Sequence, residues 1–341
     1  MEYRRVLDWN PSLDPVVNTR TRRIPCKSCI GPPRSPSAAF AVLSQTYYFP
    51  LKTMHITSVE EGCSSKDNSG WKADLRVSIP FNGTAEEFFM LSCKYLICLY
   101  GEKSSYICNP ATGELRTLAK LHERDGIGFG FDATRNQYKL VLLHLTSEST
   151  WCDVFALGTS AWTRVKNDDP TIPTNKGKAS CPTTIGESIY WITAPRMHVL
   201  SFNVQTGKFT LLGVPMYIQS KRKRLEQNIH ISLAQVLGTL CIVQHNGVEK
   251  RLDIWTKNEG NFRTDDVHQQ WMRRSSIDLN DPLIPEHTVP GYHVTLMGFR
   301  GGKIMLWSTW AGLVSYDVKT HEFKRVYNAS GWNQVVVYEK S

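Results

Sequence analysis

The amino-acid sequence predicts an all-β repeat fold, a β-propeller of about six four-stranded blades. Three observations lead there. Short apolar or alternating runs, each bounded by Gly, Asn, Asp, Ser or Thr, fill the chain from Ala38 onward, and stretches with a 3.6-residue apolar period are scarce. Aromatic residues make up 11% of the chain, a supply that suits pleated surfaces because flat side chains pack well on them. A two-part unit, a small residue before an apolar strand and then a strand–turn–strand hairpin, recurs along the sequence.

Residues 1–37 come first and read differently. Six prolines punctuate them, apolar periodicity is absent, and seven basic residues stand against three acidic ones. They are read as an irregular, solvated basic leader before a propeller domain over residues 38–341. The formal net charge of the whole chain is +9. The opening residues Met1 to Trp9 contain no apolar core, so no secretory signal is expected, and no run approaches the ~20 apolar residues of a membrane helix. Of the nine cysteines, several sit inside apolar runs (Cys98, Cys108, Cys241). Buried thiols in the cytoplasm or nucleus account for that better than a disulfide framework.

The repeat then unfolds in order. Its first half is seen in Lys94-Tyr-Leu-Ile-Cys-Leu-Tyr100, Gly186-Glu-Ser-Ile-Tyr-Trp-Ile192, Gly238-Thr-Leu-Cys-Ile-Val243 and Gly302-Lys-Ile-Met-Leu-Trp307. Its second half is a hairpin whose second strand opens on an aromatic or apolar residue: Tyr106–Leu115, Val154–Trp162, Leu200–Phe209, Leu252–Phe262 and Val314–Phe323. An Asn or Asp at the first corner can bind its own backbone two residues on, and Gly accepts the positive φ of a tight turn. Successive hairpin turns are 46 to 60 residues apart, the size of a four-stranded blade. A lone blade cannot bury both faces, and radial stacking buries them against neighbours. The hairpin Phe129–Tyr138 is read as the outer half of a blade. Gly126-Ile-Gly-Phe-Gly130 is read as a strand and not a phosphate cradle, because it runs into that hairpin instead of opening a helix. Short helices are expected at Ala85–Leu91 and Lys221–Ile229.

Five of these segments together resemble a known family. They are Tyr95-Leu-Ile-Cys-Leu-Tyr100, Ile107-Cys-Asn-Pro-Ala-Thr112, Gly128-Phe-Gly-Phe-Asp-Ala-Thr-Arg-Asn-Gln-Tyr-Lys139, Val154-Phe-Ala-Leu-Gly-Thr-Ser-Ala-Trp162, and Ile189-Tyr-Trp191 with Leu200-Ser-Phe-Asn203. In order and spacing, from about Cys93 to Tyr338, they are similar to the F-box-associated propeller domain of plant F-box proteins, a kelch-like relative. The resemblance implies a kelch-like propeller that captures a target protein, as the substrate-receptor part of Skp–cullin–F-box (SCF) ubiquitin ligases does. It also implies an N-terminal F-box, a Leu-rich helical segment that docks on a Skp-type adaptor. Residues 1–37 offer only Leu7 and Leu13 for that purpose. The expectation is a non-catalytic, monomeric protein-recognition module, truncated or degenerate in its ligase-docking half. Its partner is an unidentified target protein, with the Skp-type adaptor added only if an F-box-like segment exists.

The alternatives are a propeller-scaffold enzyme of glycosidase type and a basic RNA-binding module. The acidic pairs Glu60-Glu61, Glu86-Glu87, Asp168-Asp169 and Asp265-Asp266 read as solvated loops, and glycosidase chemistry needs two carboxylates facing across a cleft. Cys26-Lys-Ser-Cys29 lacks the second pair a structural zinc needs, and the ten histidines show no metal-ligand spacing. RNA binding wants basic residues interleaved with exposed aromatics, whereas these aromatics fall at strand positions. No catalytic, metal or cofactor-binding residue is assigned, and no cofactor, membrane or nucleic-acid partner is expected. Propellers bind through loops on one face. The segments Asn167–Ala179, Met216–Asn228 and Ser276–Tyr292 are therefore the candidate contact loops, and Arg222, Lys223, Arg224 and Trp310 the candidate partner-binding residues.

Overall fold

The computed structural model describes residues 38–339 apart from 48–51, 62–70, 82–87, 119–120, 122–123, 171, 173–176, 181, 195–197, 216–217, 219–228, 258–270, 285–292, 310 and 329–332. The leader 1–37 lies outside the described residues. The chain folds as a six-bladed propeller of antiparallel sheets.

Blade 1 begins with β1 (Ala38–Tyr47), β2 (Lys52–Glu61) and β3 (Trp71–Phe81). Blade 2 holds β4 (Phe89–Cys93), β5 (Leu96–Tyr100), β6 (Ser105–Asn109) and β7 (Glu114–Leu118). Blade 3 holds β8 (Gly126–Asp132), β9 (Gln137–Leu145), β10 (Thr150–Ala156) and β11 (Trp162–Lys166). Blade 4 has a divided first strand, β12 (Lys178–Ala179) and β13 (Thr183–Ile185), then β14 (Ser188–Ala194), β15 (His198–Asn203) and β16 (Phe209–Gly213). Blade 5 holds β17 (Ile229–Val236), β18 (Thr239–Asn246), β19 (Arg251–Lys257) and β20 (Trp271–Asp278). Blade 6 holds β21 (Val294–Arg300), β22 (Lys303–Ser308), β23 (Gly312–Asp317) and β24 (Phe323–Tyr327). The last strand, β25 (Asn333–Glu339), returns to pair with β1 and supplies blade 1 with its innermost strand.

The hairpin corners follow the turn chemistry expected of them. Asn109 Oδ1 accepts the Ala111 N–H at 3.0 Å, Asn203 Oδ1 accepts Gln205 N–H at 3.0 Å, and Asp317 Oδ1 accepts Lys319 N–H at 2.9 Å. Three expectations fail in detail. Phe129–Tyr138 joins β8 to β9 and is the inner half of blade 3; inner and outer hairpins share the same alternation, so periodicity does not separate them. The strand that pairs β19 opens at Trp271 and not at Phe262. Trp271 anchors it by donating its indole N–H to Gly213 O of blade 4 at 2.6 Å. Phe89–Leu91, expected in a helix, are strand β4. There the pairing with β5 overrides the helix preference of the neighbouring Glu-rich sequence.

Neighbouring innermost strands advance together. Gln334 Oε1 accepts from Met90 N–H at 3.0 Å, Ser92 Oγ donates to Val337 O at 2.6 Å, and Glu339 N–H donates to Lys94 O at 2.8 Å. With inner strands parallel and each blade antiparallel, the connections divide between two faces. Those from an outermost strand to the next blade, and from second to third strands, lie on one side, the loop face. Those from first to second and third to fourth strands lie on the other, the turn face. Ala38, where β1 starts, and Glu339, where β25 ends, are register partners at the turn face.

The core is a ring of interblade clusters, since each sheet buries both faces. Between blades 3 and 4 the approach is close. A Cβ on Gly128 of β8 would stand 2.6 Å from Ile189 Cγ2 and 2.8 Å from Trp191 Cζ2, so only glycine fits. Trp191 is fully buried there and donates Nε1–H to Ile127 O at 2.7 Å. Thr184 Oγ1 donates to Phe129 O of the same strand at 2.8 Å. The glycine run is thus a packing device within a strand.

Candidate functional site

Polar connections on a rigid ring are where such a fold places recognition. Arg222, Lys223, Arg224 and Trp310 lie outside the described residues. The strand ends that flank them, Gly213 and Ile229 for the first three and Ser308 and Gly312 for the last, are all at the loop face. The three longest interblade connections, expected as contact segments, also start and end there.

Each of those three connections is fastened by one buried isoleucine. Ile172 is 4% exposed and packs in the core between blades 3 and 4. Ile218 is 1% exposed and packs between blades 4 and 5. Ile284 is 5% exposed and packs between blades 5 and 6. Around these anchors the segments cap themselves. Asn167 Oδ1 accepts Asp169 N–H at 3.1 Å, and Asp281 Oδ1 accepts Leu283 N–H at 2.8 Å. The isoleucines were not singled out from the sequence. For Ile172 the signal is a lone branched apolar residue in a polar, Pro- and Asp-rich connection; Ile218 and Ile284 stand beside other apolar residues, Val214 and Leu279 among them, which are buried in the same cores.

Two interblade seams carry titratable groups to the loop face. In blade 3, Arg164 grips Asp153 with Nε at 2.8 Å and Nη2 at 3.1 Å, and His144 Nε2 stands 3.1 Å from the same carboxylate. His144 stacks on Trp151, with ring centres 4.9 Å apart. Burial works to raise the Asp153 carboxyl, but the bonds and charge of Arg164, with His144, outweigh it and hold it below the ordinary value. Across the seam Arg124 lies over the Tyr100 ring at 5.3 Å, and Tyr100 stacks with Phe89 at 5.5 Å. In blade 5, His230 stacks on His293 of blade 6 at 4.5 Å. Burial, and then the neighbouring His293, push His230 down to about 4, so it is neutral at physiological pH.

Asp132 and Asp153 are ion-paired anions, opposite to the raised carboxyl a general acid needs. Burial pushes the thiols of Cys93, Cys98 and Cys108 up to about 12, which leaves them unreactive. Among the described residues no group of three or more His, Cys, Asp or Glu is placed to hold a metal ion. No described helix is long and apolar enough to cross a membrane. A partly open pocket at blade 2, lined by Leu96, Ile107 and Leu118 with Glu114 and Arg116, has a volume of ≈ 40 Å³.

A family described as the F-box associated beta propeller domain matches residues 44–327. Two proteins of Arabidopsis thaliana are similar in sequence. F-box protein At2g34280 is 24% identical over 256 residues, covering 62% of this chain and 62% of that protein. F-box protein At5g10340 is 24% identical over 236 residues, covering 61% of this chain and 49% of that protein. The match thus takes in about six-tenths and about half of the length of these curated relatives. Among solved structures, Saccharomyces cerevisiae Sqt1 is 12% identical at a TM-score of 0.42, over 87% of each chain. A Bacteroides caccae protein of unknown function is 9% identical at a TM-score of 0.45, over 89% of this chain and 98% of its own.

Proposed function

This chain belongs to the F-box-associated β-propeller family, and from that premise we propose that it is a non-catalytic receptor that captures a protein target on its loop face. A family of this kind points to substrate recognition within F-box proteins. The observation that carries the choice of face is the placement of the long connections. Ala38 and Glu339, where β1 starts and β25 ends, are register partners at the turn face, opposite the face where the three longest interblade connections begin and end. The three isoleucine-anchored connections belong to the loop face. Anchoring lowers the entropy lost when a loop engages a partner.

Attachment to a Skp-type adaptor, and through it to a ubiquitin ligase, is the finer part of the proposal. A reducing compartment, cytoplasm or nucleus, is its proposed setting, in keeping with the five described cysteines being free thiols. Two experiments separate the parts. Target capture from plant extract is compared between the wild-type chain and one with Lys221–Arg224 changed to alanine and residues 219–228 otherwise kept. Proteins retained by the first and lost by the second support loop-face recognition, and an unchanged set removes the basic segment from it. Direct binding of purified Skp-type adaptor to the full chain tests ligase attachment. Absence of binding would leave recognition without delivery.

A further inference from the structure

The outermost strand of each blade is a sheet edge, a row of backbone groups on which another strand can form. Five of the six edges are guarded by charge. Lys72 and Arg76 lie in β3, Arg116 in β7, Arg164 and Lys166 in β11, Arg273 and Arg274 in β20, and Lys324 and Arg325 in β24. Three of these strands, β3, β20 and β24, also carry a bulge. The edge of blade 4 has neither device. β16 reads Phe-Thr-Leu-Leu-Gly, without a charged residue or a proline, and its register with β15 is unbroken from Phe209 to Gly213.

The turn before β16 fixes which of its backbone groups face out. Asn203 N–H donates to Lys208 O at 2.9 Å, and bonded and open pairs alternate from there. Thr210 and Leu212 therefore turn N–H and C=O toward β15, while Phe209, Leu211 and Gly213 turn theirs outward. Gly213 O obeys this phase, since it accepts the Trp271 indole N–H from blade 5 at 2.6 Å. That bond closes the loop-face end of the edge. Among the described residues nothing bonds the outward groups of Phe209 and Leu211. Thr210 is exposed and Leu211 and Leu212 are half-buried, so the strand is within reach of a partner.

We propose that β16 is a strand-addition site for an extended, uncharged segment of the captured protein, bordered by acidic residues. The occupant being part of a target rests on the receptor reading above. β16 runs to the loop face and ends where the 214–228 connection begins, so a segment paired there is continuous with the recognition face. The outer strands on either side expose positive charge, Arg164 and Lys166 on blade 3 and Arg273 and Arg274 on blade 5, which suits acidic flanks around an uncharged centre. Main-chain bonds then supply the pairing and alternate side chains its selectivity. A second copy of this chain fits less well. Each copy carries a net charge of +9, and so short a pairing falls far below the ~1,200 Å² that a stable interface buries. A segment of a protein already held at the loop face needs no such area, because the first contact raises its local concentration.

The probe is a short peptide of alternating valine and threonine with a glutamate at each end, set against a copy N-methylated at every central residue, which keeps the charge and loses the donors. Amide exchange of the full chain is followed residue by residue. The Phe209 and Leu211 amides are expected to exchange quickly in the free chain and about tenfold or more slowly with the first peptide, while β7 and β24 stay unchanged. The methylated copy should give no protection. Leu211→Pro removes an outward N–H and no ladder bond, and should weaken peptide binding about tenfold. Equal effects of the two peptides, or protection elsewhere than β16, overturn the proposal. Phe209 and Leu211 amides already slow in the free chain overturn it as well, because the chain then covers its own edge. Protection that grows with protein concentration alone does the same, because a second copy is then the occupant. None of these results touches capture at the loop face, whereas pairing at β16 with capture indifferent to the Lys221–Arg224 change would keep the edge and remove the basic segment.

Discussion

The seam between blades 3 and 4 and the seam that closes the ring are built from different chemistry. The first is steric. Gly128 lets β8 lie against Ile189 and Trp191, and Trp191 and Thr184 add bonds to backbone carbonyls of that strand. The closing seam joins strands from opposite ends of the sequence. There Gln334 serves the backbone of the next blade twice, accepting from Met90 N–H and donating to Phe88 O at 2.8 Å. Ser58 and Tyr338 share a buried hydrogen bond of 2.9 Å beside it. A seam made by consecutive blades can rely on shape, because the chain delivers both sides together. A seam that β25 must find late gains from directional bonds that fix its register.

The largest expected effect breaks the steric seam. Gly128→Val puts two methyl groups where a single Cβ already overlaps Ile189 and Trp191. Overpacking of this kind should cost about 3 kcal/mol, and at ~2–4 °C per kcal/mol lower the melting temperature by about 6–12 °C. Thermal unfolding followed by near-UV circular dichroism checks it. Trp191→Phe comes next, at about 2 kcal/mol, because it leaves Ile127 O unpaired in a buried site and a small void. Gln334→Leu should cost about 1–2 kcal/mol by stripping partners from Met90 N–H and Phe88 O. Its signature differs from the other two. Amide exchange should quicken in β25 and β4, and much less in β8 and β14. An exchange rise spread evenly over the ring would mean the seams are not separable in this way.

The sequence made the repeated half of this difference legible. Glycine before an apolar run marks second strands such as Ser188–Ala194 and Thr239–Asn246. Asn or Asp at a corner marks outer hairpins such as Leu200–Phe209, since both patterns depend on residues a few positions apart. The closing strand is not legible in that way. Ala38 and Glu339 pair across almost the whole described chain, and no local pattern encodes that. The outer strand of blade 5 was misplaced for a related reason: Trp271 acts through Gly213 of another blade and not through its own turn. At the candidate site, the loops were legible from their composition. The buried Ile172, Ile218 and Ile284 that hold them were not, because one to three apolar residues in an irregular connection make no periodicity. Leu237 looked like any residue before Gly238; its positive φ appears only when the turn is built.

The smallest expected effect sharpens the comparison by acid. Asp132, fully buried at the end of β8, accepts from Lys139 Nζ at 2.8 Å, Thr134 Oγ1 at 2.7 Å and Arg135 Nη1 at 3.0 Å. Lys139 also donates to Val204 O of blade 4 at 2.6 Å, so the carboxylate sets the ionic edge of an otherwise steric seam. Burial works to raise this carboxyl, and the three donors more than reverse it, leaving it well below the ordinary range. A depressed folded-state value means the unfolded chain binds the proton more readily. The stabilisation is therefore present above the unfolded value of ~3.9 and is lost as pH falls below it. Asp132→Asn should lower the urea midpoint at pH 7, and the gap to wild type should shrink between about pH 4 and pH 2 because acid removes the same anion. The seam between blades 6 and 1 supplies the control. Glu61 beside Arg300 is 58% exposed and screened, so Glu61→Gln should shift the midpoint little at either pH. A gap for Asp132→Asn that stays constant down to pH 2 would mean its carboxylate is not what ties blade 3 to blade 4.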